Sequence, residues 1–198
     1  IYFEVVTNKG VFSDSRVERI QNVADLLVDL NPDTTYKLAV ALAAARLELM
    51  NINYVDNYQE LLDDPTIQIM KFIAFTGERH DILKAPAKTF EATGKLSVTS
   101  SSANNIEVNN IKAQKGYAVE AYAKQRGITM DEVMTIGDNL NDASMIKMAK
   151  YGVAMGNAIP EITALAWDTT KTNSENGVAA AIRKAIRVNK AEASNAHF

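Results

Sequence analysis

The chain has 198 residues, 47% hydrophobic and 23% charged, with a formal net charge of −3. That suits one large or two small globular domains with a real core, and neither the charge nor any dense Lys/Arg run favours nucleic acid as a partner. With no cysteine and two histidines, His80 and His197, disulfides, thiolate centres and a multi-histidine zinc site are excluded, and a reducing cytoplasm is the natural compartment. No signal peptide or membrane span is visible: the most apolar helical run, 38–50, is too short and carries Arg46 and Glu48.

In chain order, residues 2–7 (YFEVVT) are β-branched and aromatic and read as a strand, with NKG as a turn and 11–13 as the returning strand of a hairpin. Ile1 therefore stands inside a strand, which implies residues upstream of it. Apolar residues at helical spacing predict a helix over 15–30, with Asp14 or Ser15 as its N-cap. A second helix opens at Pro32-Asp33 and runs to about Met50. Strands follow at 51–55 and at 66–76, the latter ended by Gly77, and then a helix around 80–91 in which Pro86 predicts a kink or break. Residues 95–101 and 105–110 read as two further strands. Mixed strands and helices with hairpin returns indicate an α+β layer structure.

From about residue 112 the rhythm becomes regular. A helix at 115–126 stops at Gly127, then come strand 132–137, helix 141–149, strand 152–155, helix 159–166, a strand near 166–170 and helix 178–188. Alternation at this spacing predicts right-handed βαβ units and a parallel sheet, so the fold class is α/β. The small, polar tail from 190 to 198 is expected to be mobile.

In such sheets ligands bind beyond the carboxyl ends of the strands. There the run VMTIGDNLNDASMI (133–146) places Asp138 and Asp142 with Asn139 and Asn141 between them. For an isolated D-x-x-x-D, capping is the commoner explanation: Asp142 or Asn141 would cap the next helix and Asp138 would make an Asx-turn. Calcium fits poorly, because an EF-hand counted from Asp138 needs Gly at Ala143 and Glu at Ala149. A P-loop is absent, since no G-K-[ST] occurs. The surroundings shift the balance toward a site. Lys115 opens a helix whose first turn faces the same edge, where its charge opposes the helix dipole but could meet a phosphate or hold a carboxylate. Asn157, in MGNA (155–158), and the N–H groups opening helix 159–166 suggest an anion site. TNSENG (172–177) caps the last helix at the same edge. Carboxylates for a hard divalent ion and a lysine for phosphoryl charge suit phosphoryl transfer.

Lys115-Gly116 together with TIGDNLNDASM (135–145) resembles motifs three and four of the haloacid dehalogenase superfamily. GVAMGNAIPEITALA (152–166) and TNSENGVAAAI (172–182) narrow the resemblance to the Cof-like, sugar-phosphatase-type hydrolases with a large cap. It is continuous over 110–198, the C-terminal part of a Rossmann-like core. Residues 1–109 resemble the inserted α+β cap in position and rhythm only. Ile162-Thr163 stands where Val-Lys is common, and Asn176 where Asp is common. The nucleophile and general acid of the family lie in a D-x-D-G-T motif, and no D-x-D occurs here. The resemblance implies that this motif precedes Ile1, on a segment of roughly eighty residues.

The resemblance also implies roles. Lys115 would steady the nucleophile and the phosphate, and Asp138 would bind Mg²⁺. Asp142 would complete the metal site directly or through water, and Asn141 would contact the phosphoryl group or substrate. Gly137 would allow the tight exit from the strand, and Asn157 would lie near the phosphate. The expected activity is Mg²⁺-dependent hydrolysis of small phosphorylated metabolites through an aspartyl-phosphate, with residues 1–198 alone inactive. Alternatives are a non-catalytic binding module keeping half of a hydrolase core, or a sugar phosphomutase-type enzyme. Strand 132–137 is expected to need a neighbour on its outer edge, from an upstream segment or another chain.

Overall fold

The computed structural model describes residues 1–76, 81–101 and 105–195. The chain divides into two compact units, Ile1–Lys112 and Ala113–Phe198.

In the first unit, β1 (Tyr2–Thr7) returns through Asn8-Lys9 into β2 (Gly10–Ser13), with Val5 opposite Phe12 and Thr7 opposite Gly10. Helix α1 (Arg16–Leu30) starts where Ser15 accepts the N–H of Glu18 with its side chain. Helix α2 (Tyr36–Glu48) starts later than Pro32-Asp33 suggested, because Thr34 N–H closes a turn onto Asn31 and Thr35 provides the cap. β3 (Ile52–Tyr54) lies parallel to β2. A short helix, α3 (Gln59–Asp63), precedes β4 (Ile69–Phe75). The residues before β4 are held in the turn instead, where Asn8 and Gln68 exchange hydrogen bonds.

Helix α4 (Asp81–Ala92) runs through Pro86 without a break, so of the kink or break expected there the break does not occur. Leu83, Pro86 and Phe90 share a face and line one apolar hollow, so packing offsets the lost backbone bond. Gly77 and the start of this helix near His80 lie outside the described residues. β5 (Leu96–Thr99) and β6 (Asn105–Asn110) complete a six-stranded sheet in the order β3-β2-β1-β4-β6-β5. Alanines at the crossing of α1 and α2 (Ala24, Ala39 and Ala43) are buried and let the two helices approach closely, with Ile20, Val23, Leu27 and Val40 packed around them.

The second unit is built of parallel βα turns. Helix α5 (Lys115–Gln125) ends at Gly127, whose φ of +69° is the left-handed conformation that closes a helix. A single 3₁₀ turn, Met130–Glu132, leads into β7 (Met134–Gly137). A second, Leu140–Asp142, leads into α6 (Ala143–Met148). Then follow β8 (Tyr151–Ala154), α7 (Pro160–Leu165), β9 (Asp168–Thr169) and α8 (Gly177–Asn195). The three strands are parallel in the order β7-β8-β9, so β7 stands at an edge. Ile146, Ala154 and Ile162 form the buried centre between sheet and helices. Residues 190–195, expected to be loose, continue α8, because Lys-Ala-Glu-Ala favours helix and no Gly or Pro interrupts it. The rest of the expected tail, 196–198, lies outside the described residues. No helix among the described residues is long and apolar enough to cross a membrane.

Candidate active site

The carboxyl ends of the parallel strands are Gly137, Ala154 and Thr169. The three loops that leave them meet at one edge with the start of α5. The loop after β7 is the most tightly organised. Asp142 is buried, at 5% exposure, and both of its oxygens are engaged. Oδ2 accepts the N–H of Asp138 at 3.0 Å and that of Asn139 at 3.4 Å, while Oδ1 meets Lys115 Nζ at 2.5 Å. A carboxylate that closes a turn this way satisfies amides that no helix bond can reach. Gly137 is required by close approach: a Cβ there would stand 2.5 Å from the Cβ of Asp142 and 2.8 Å from its Cγ.

Asp138 is placed differently. It is exposed, and among the described residues its carboxylate is met only by the Asn157 amide, at 3.4 Å on Oδ2. Its carbonyl accepts the N–H of Ile159, which fixes the loop after β8 beside it. Asn157 in turn accepts the N–H of Asn173 at 2.9 Å, so one amide side chain ties all three loops. Lys115, Asp142, Asp138 and Asn157 thus form one connected set. Asn141 sits half-buried in the 3₁₀ turn between the two aspartates.

Two expectations change. The N–H groups opening the helix after β8 do not form an anion cradle: Ile159 N–H is given to Asp138, Ala158 N–H to Met155, and Pro160 has none. The loop 172–177 caps its own 3₁₀ turn, Asn173–Glu175, before α8 begins. There Glu175 takes hydrogen bonds from the hydroxyl and amide of Thr172, which hold its carboxyl below the ordinary range.

Sequence reasoning missed three residues that build this edge. Asn139 is the N-cap residue of the 3₁₀ turn 140–142, where it accepts the N–H of Leu140, while Asp142 holds the expected N-cap position of α6 without a side-chain hydrogen bond to that helix. Ser144 Oγ accepts the N–H of Gly116 at 2.9 Å and so positions the start of α5, hence Lys115. Asn173 completes the link to the third loop. Each acts through a contact distant in sequence, and only the cap position of Asn139 left a local signal.

A hard cation could take Asp138, whose carboxylate is accessible. Asp142 does not fit as an inner ligand, because Lys115 and two amides occupy its oxygens. Among the described residues no group of three His, Asp or Glu side chains is gathered for a metal.

Residues 16–182 match the family of haloacid dehalogenase-like hydrolases. The chain belongs to that family. Within it the chain is Cof-like. Phosphatase YwpJ of Bacillus subtilis is 33% identical over 180 residues, which are 90% of this chain and 63% of YwpJ. The 5-amino-6-(5-phospho-D-ribitylamino)uracil phosphatase YcsE of the same organism is 43% identical over 114 residues, 58% of this chain and 45% of YcsE. A solved haloacid dehalogenase-like hydrolase from B. subtilis superposes with a TM-score of 0.76 at 32% identity, over 90% of this chain and 63% of its own. This chain therefore spans less than two thirds of the length of these relatives.

Proposed function

We propose that this protein is a Mg²⁺-dependent phosphatase of small phosphorylated metabolites, such as sugar phosphates or flavin-pathway intermediates, acting in the cytoplasm. The observation that carries the reading is the pairing of an engaged carboxylate with an accessible one. Lys115 and Asp142 are locked together beside Asp138, which faces solvent at the carboxyl edge of the sheet. The names of YwpJ and YcsE as phosphatases support the reaction class.

In this reading Asp138 is the metal ligand that the second unit supplies. Mg²⁺, when bound, would neutralise charge on the phosphoryl group. Asn157 makes a weak amide contact with the Asp138 carboxylate, and Lys115, fixed by Asp142, offers a cation to the phosphate. Asn141 is the nearby amide for a phosphoryl oxygen or the substrate. The nucleophilic aspartate belongs to a D-x-D-G-T motif, which 1–198 does not contain. Attack by that residue and hydrolysis of the aspartyl-phosphate complete the cycle. The open edge of β7 is where a strand from outside these residues would pair. The first unit would be the cap that closes over substrate.

Turnover of p-nitrophenyl phosphate by the intact protein tests this. Lys115→Ala and Asp138→Asn should each lower kcat/KM by about 100-fold or more, and added Mg²⁺ should partly rescue Asp138→Asn. Wild-type turnover by Asp138→Asn at low Mg²⁺ would remove the metal role. Residues 1–198 alone should show no Mg²⁺-dependent turnover.

A further inference from the structure

The phosphatase reading sets the Lys115 ammonium against the phosphoryl group, yet that side chain is half exposed. A lysine stem has four rotatable carbons, and an ion pair in contact with water holds it loosely. Much of what fixes this lysine lies behind it, in the backbone. The N–H of Gly116, in the first turn of α5, is one of the amides that no intrahelical carbonyl can reach. The hydroxyl of Ser144, in α6, accepts it at 2.9 Å. Backbone meets backbone at this point. Gly116 is buried, and a Cβ on it would stand 2.7 Å from the carbonyl carbon of Ser144 and 2.6 Å from Met148 Sδ. The start of α5 is therefore seated directly on α6.

The seat is itself anchored to the sheet. Thr135 of β7 is buried, and its hydroxyl donates to the carbonyl of Met145 at 3.0 Å. In β8, Gly152 comes so near that a Cβ would stand 2.1 Å from the carbonyl oxygen of Ile146, and Ile146 lies in the buried centre of the unit. Three consecutive residues of α6 thus meet three elements: Ser144 meets α5, Met145 meets β7 and Ile146 meets β8. Asp142, just ahead of that turn, takes the Lys115 ammonium at 2.5 Å. A group held by a support that is itself held is the arrangement that keeps a charge in one place.

We propose that Ser144 is a positioning residue for Lys115. Asp142 holds the charged end of the lysine and Ser144 holds its backbone end, so α6 sets the reach of the ammonium from both sides. The Ser144 hydroxyl spends its acceptor on Gly116 and acts on the reaction only through Lys115. This role rests on the phosphatase reading. It follows from how steeply rate depends on placement: a cation moved by about 1 Å from the charge that develops on the phosphoryl group loses much of its effect.

The test is turnover of p-nitrophenyl phosphate by the intact protein carrying Ser144→Ala, Lys115→Ala or both. Ser144→Ala removes one side-chain acceptor and leaves the backbone bonds of α6 in place, and Trp167 fluorescence checks that the second unit is folded under assay conditions. Ser144→Ala should lower kcat about tenfold or more and change KM little. In the Lys115→Ala background the same substitution should cost less than about twofold, because no ammonium is left to misplace. An undiminished kcat in Ser144→Ala overturns the proposal, as does a loss confined to KM. So does an equal loss with and without Lys115, which is what mere loosening of the unit would give. Wild-type turnover by Lys115→Ala would instead overturn the phosphatase reading, and this role of Ser144 with it.

Discussion

Asp142→Ala isolates what the buried carboxylate does for the second unit. The substitution removes the one oxygen that accepts two backbone N–H groups, at 3.0 and 3.4 Å, and the partner of Lys115. Loss of a capping side chain costs about 0.5–2 kcal/mol, and each N–H left unsatisfied in a closed turn adds about 1 kcal/mol or more. The ion pair adds less, because the Lys115 side chain is half exposed and water screens it, which limits it to about 1 kcal/mol. The sum for Asp142→Ala is about 2.5–5 kcal/mol. Asp142→Asn keeps one acceptor for the amides and should cost about half as much, and Lys115→Met should cost under about 1 kcal/mol. Trp167, the single tryptophan, lies in this unit against Tyr151, so its fluorescence reports urea unfolding of the unit directly. With a slope of about 1–2 kcal/mol/M, the Asp142→Ala midpoint should fall by about 1–5 M. A loss below about 0.5 kcal/mol, or an equal loss in Lys115→Met, would refute the assignment of stability to the amide contacts.

Gly137→Ala forces a methyl group onto Asp142 and should destabilise the same transition by about 2–4 kcal/mol, a strained-core effect. Glu4 gives a pH signature: burial, against the pull of Arg19, raises its pKa from 4.5 in the folded protein. A raised carboxyl binds protons more tightly when folded, so its contribution is full below 4.5 and is lost as pH rises through the folded value. The stability of wild type relative to Glu4→Gln should therefore decline as pH rises above 4.5, by at most about 1.4 kcal/mol per pH unit for the one proton, in urea titrations followed by circular dichroism. A difference independent of pH would contradict it. Pro86→Ala restores a hydrogen bond inside α4 and relieves about 3 kcal/mol of intrinsic penalty, offset in part by lost apolar packing. A net gain of about 1 kcal/mol, read as a raised Tm, is expected, and a loss would show that packing of Pro86 dominates.

The parts of the fold that were legible in the sequence are those with a local cause. Ser15 caps α1 and Gly127 ends α5 because the backbone at those points needs a side-chain acceptor or a positive φ. YFEVVT reads as a strand from its branched and aromatic residues, but nothing local says that Glu4 is buried. That depends on Arg19, brought over the sheet by α1. Pro86 does not break α4 for the same reason in reverse, since there a local rule gives way to packing on Leu83 and Phe90. At the candidate site, Lys115 and the two aspartates were legible together because parallel topology sends the ends of successive strands to one edge. Ser144 and Asn173 were not, because their partners are set only by how α6 and the last loop pack.

The capped turn and the site are not competing accounts of GDNLND. The Asn139 N-cap and the Asp142 carboxylate close the turn, and that closure consumes every oxygen of Asp142 on neighbours. The consequence falls on Asp138. Its own N–H is taken by Asp142 and its carbonyl by Ile159, so its backbone is fixed at both ends while its carboxylate is left facing solvent with one weak amide contact. A ligand that is held by its backbone and free at its oxygens loses little entropy on binding a cation. Capping is thus the means by which the loop presents one carboxylate. If Asp138 is the proposed Mg²⁺ ligand, Asp142→Asn, by loosening the turn, should weaken Mg²⁺ affinity of the intact protein without Asp142 touching the metal.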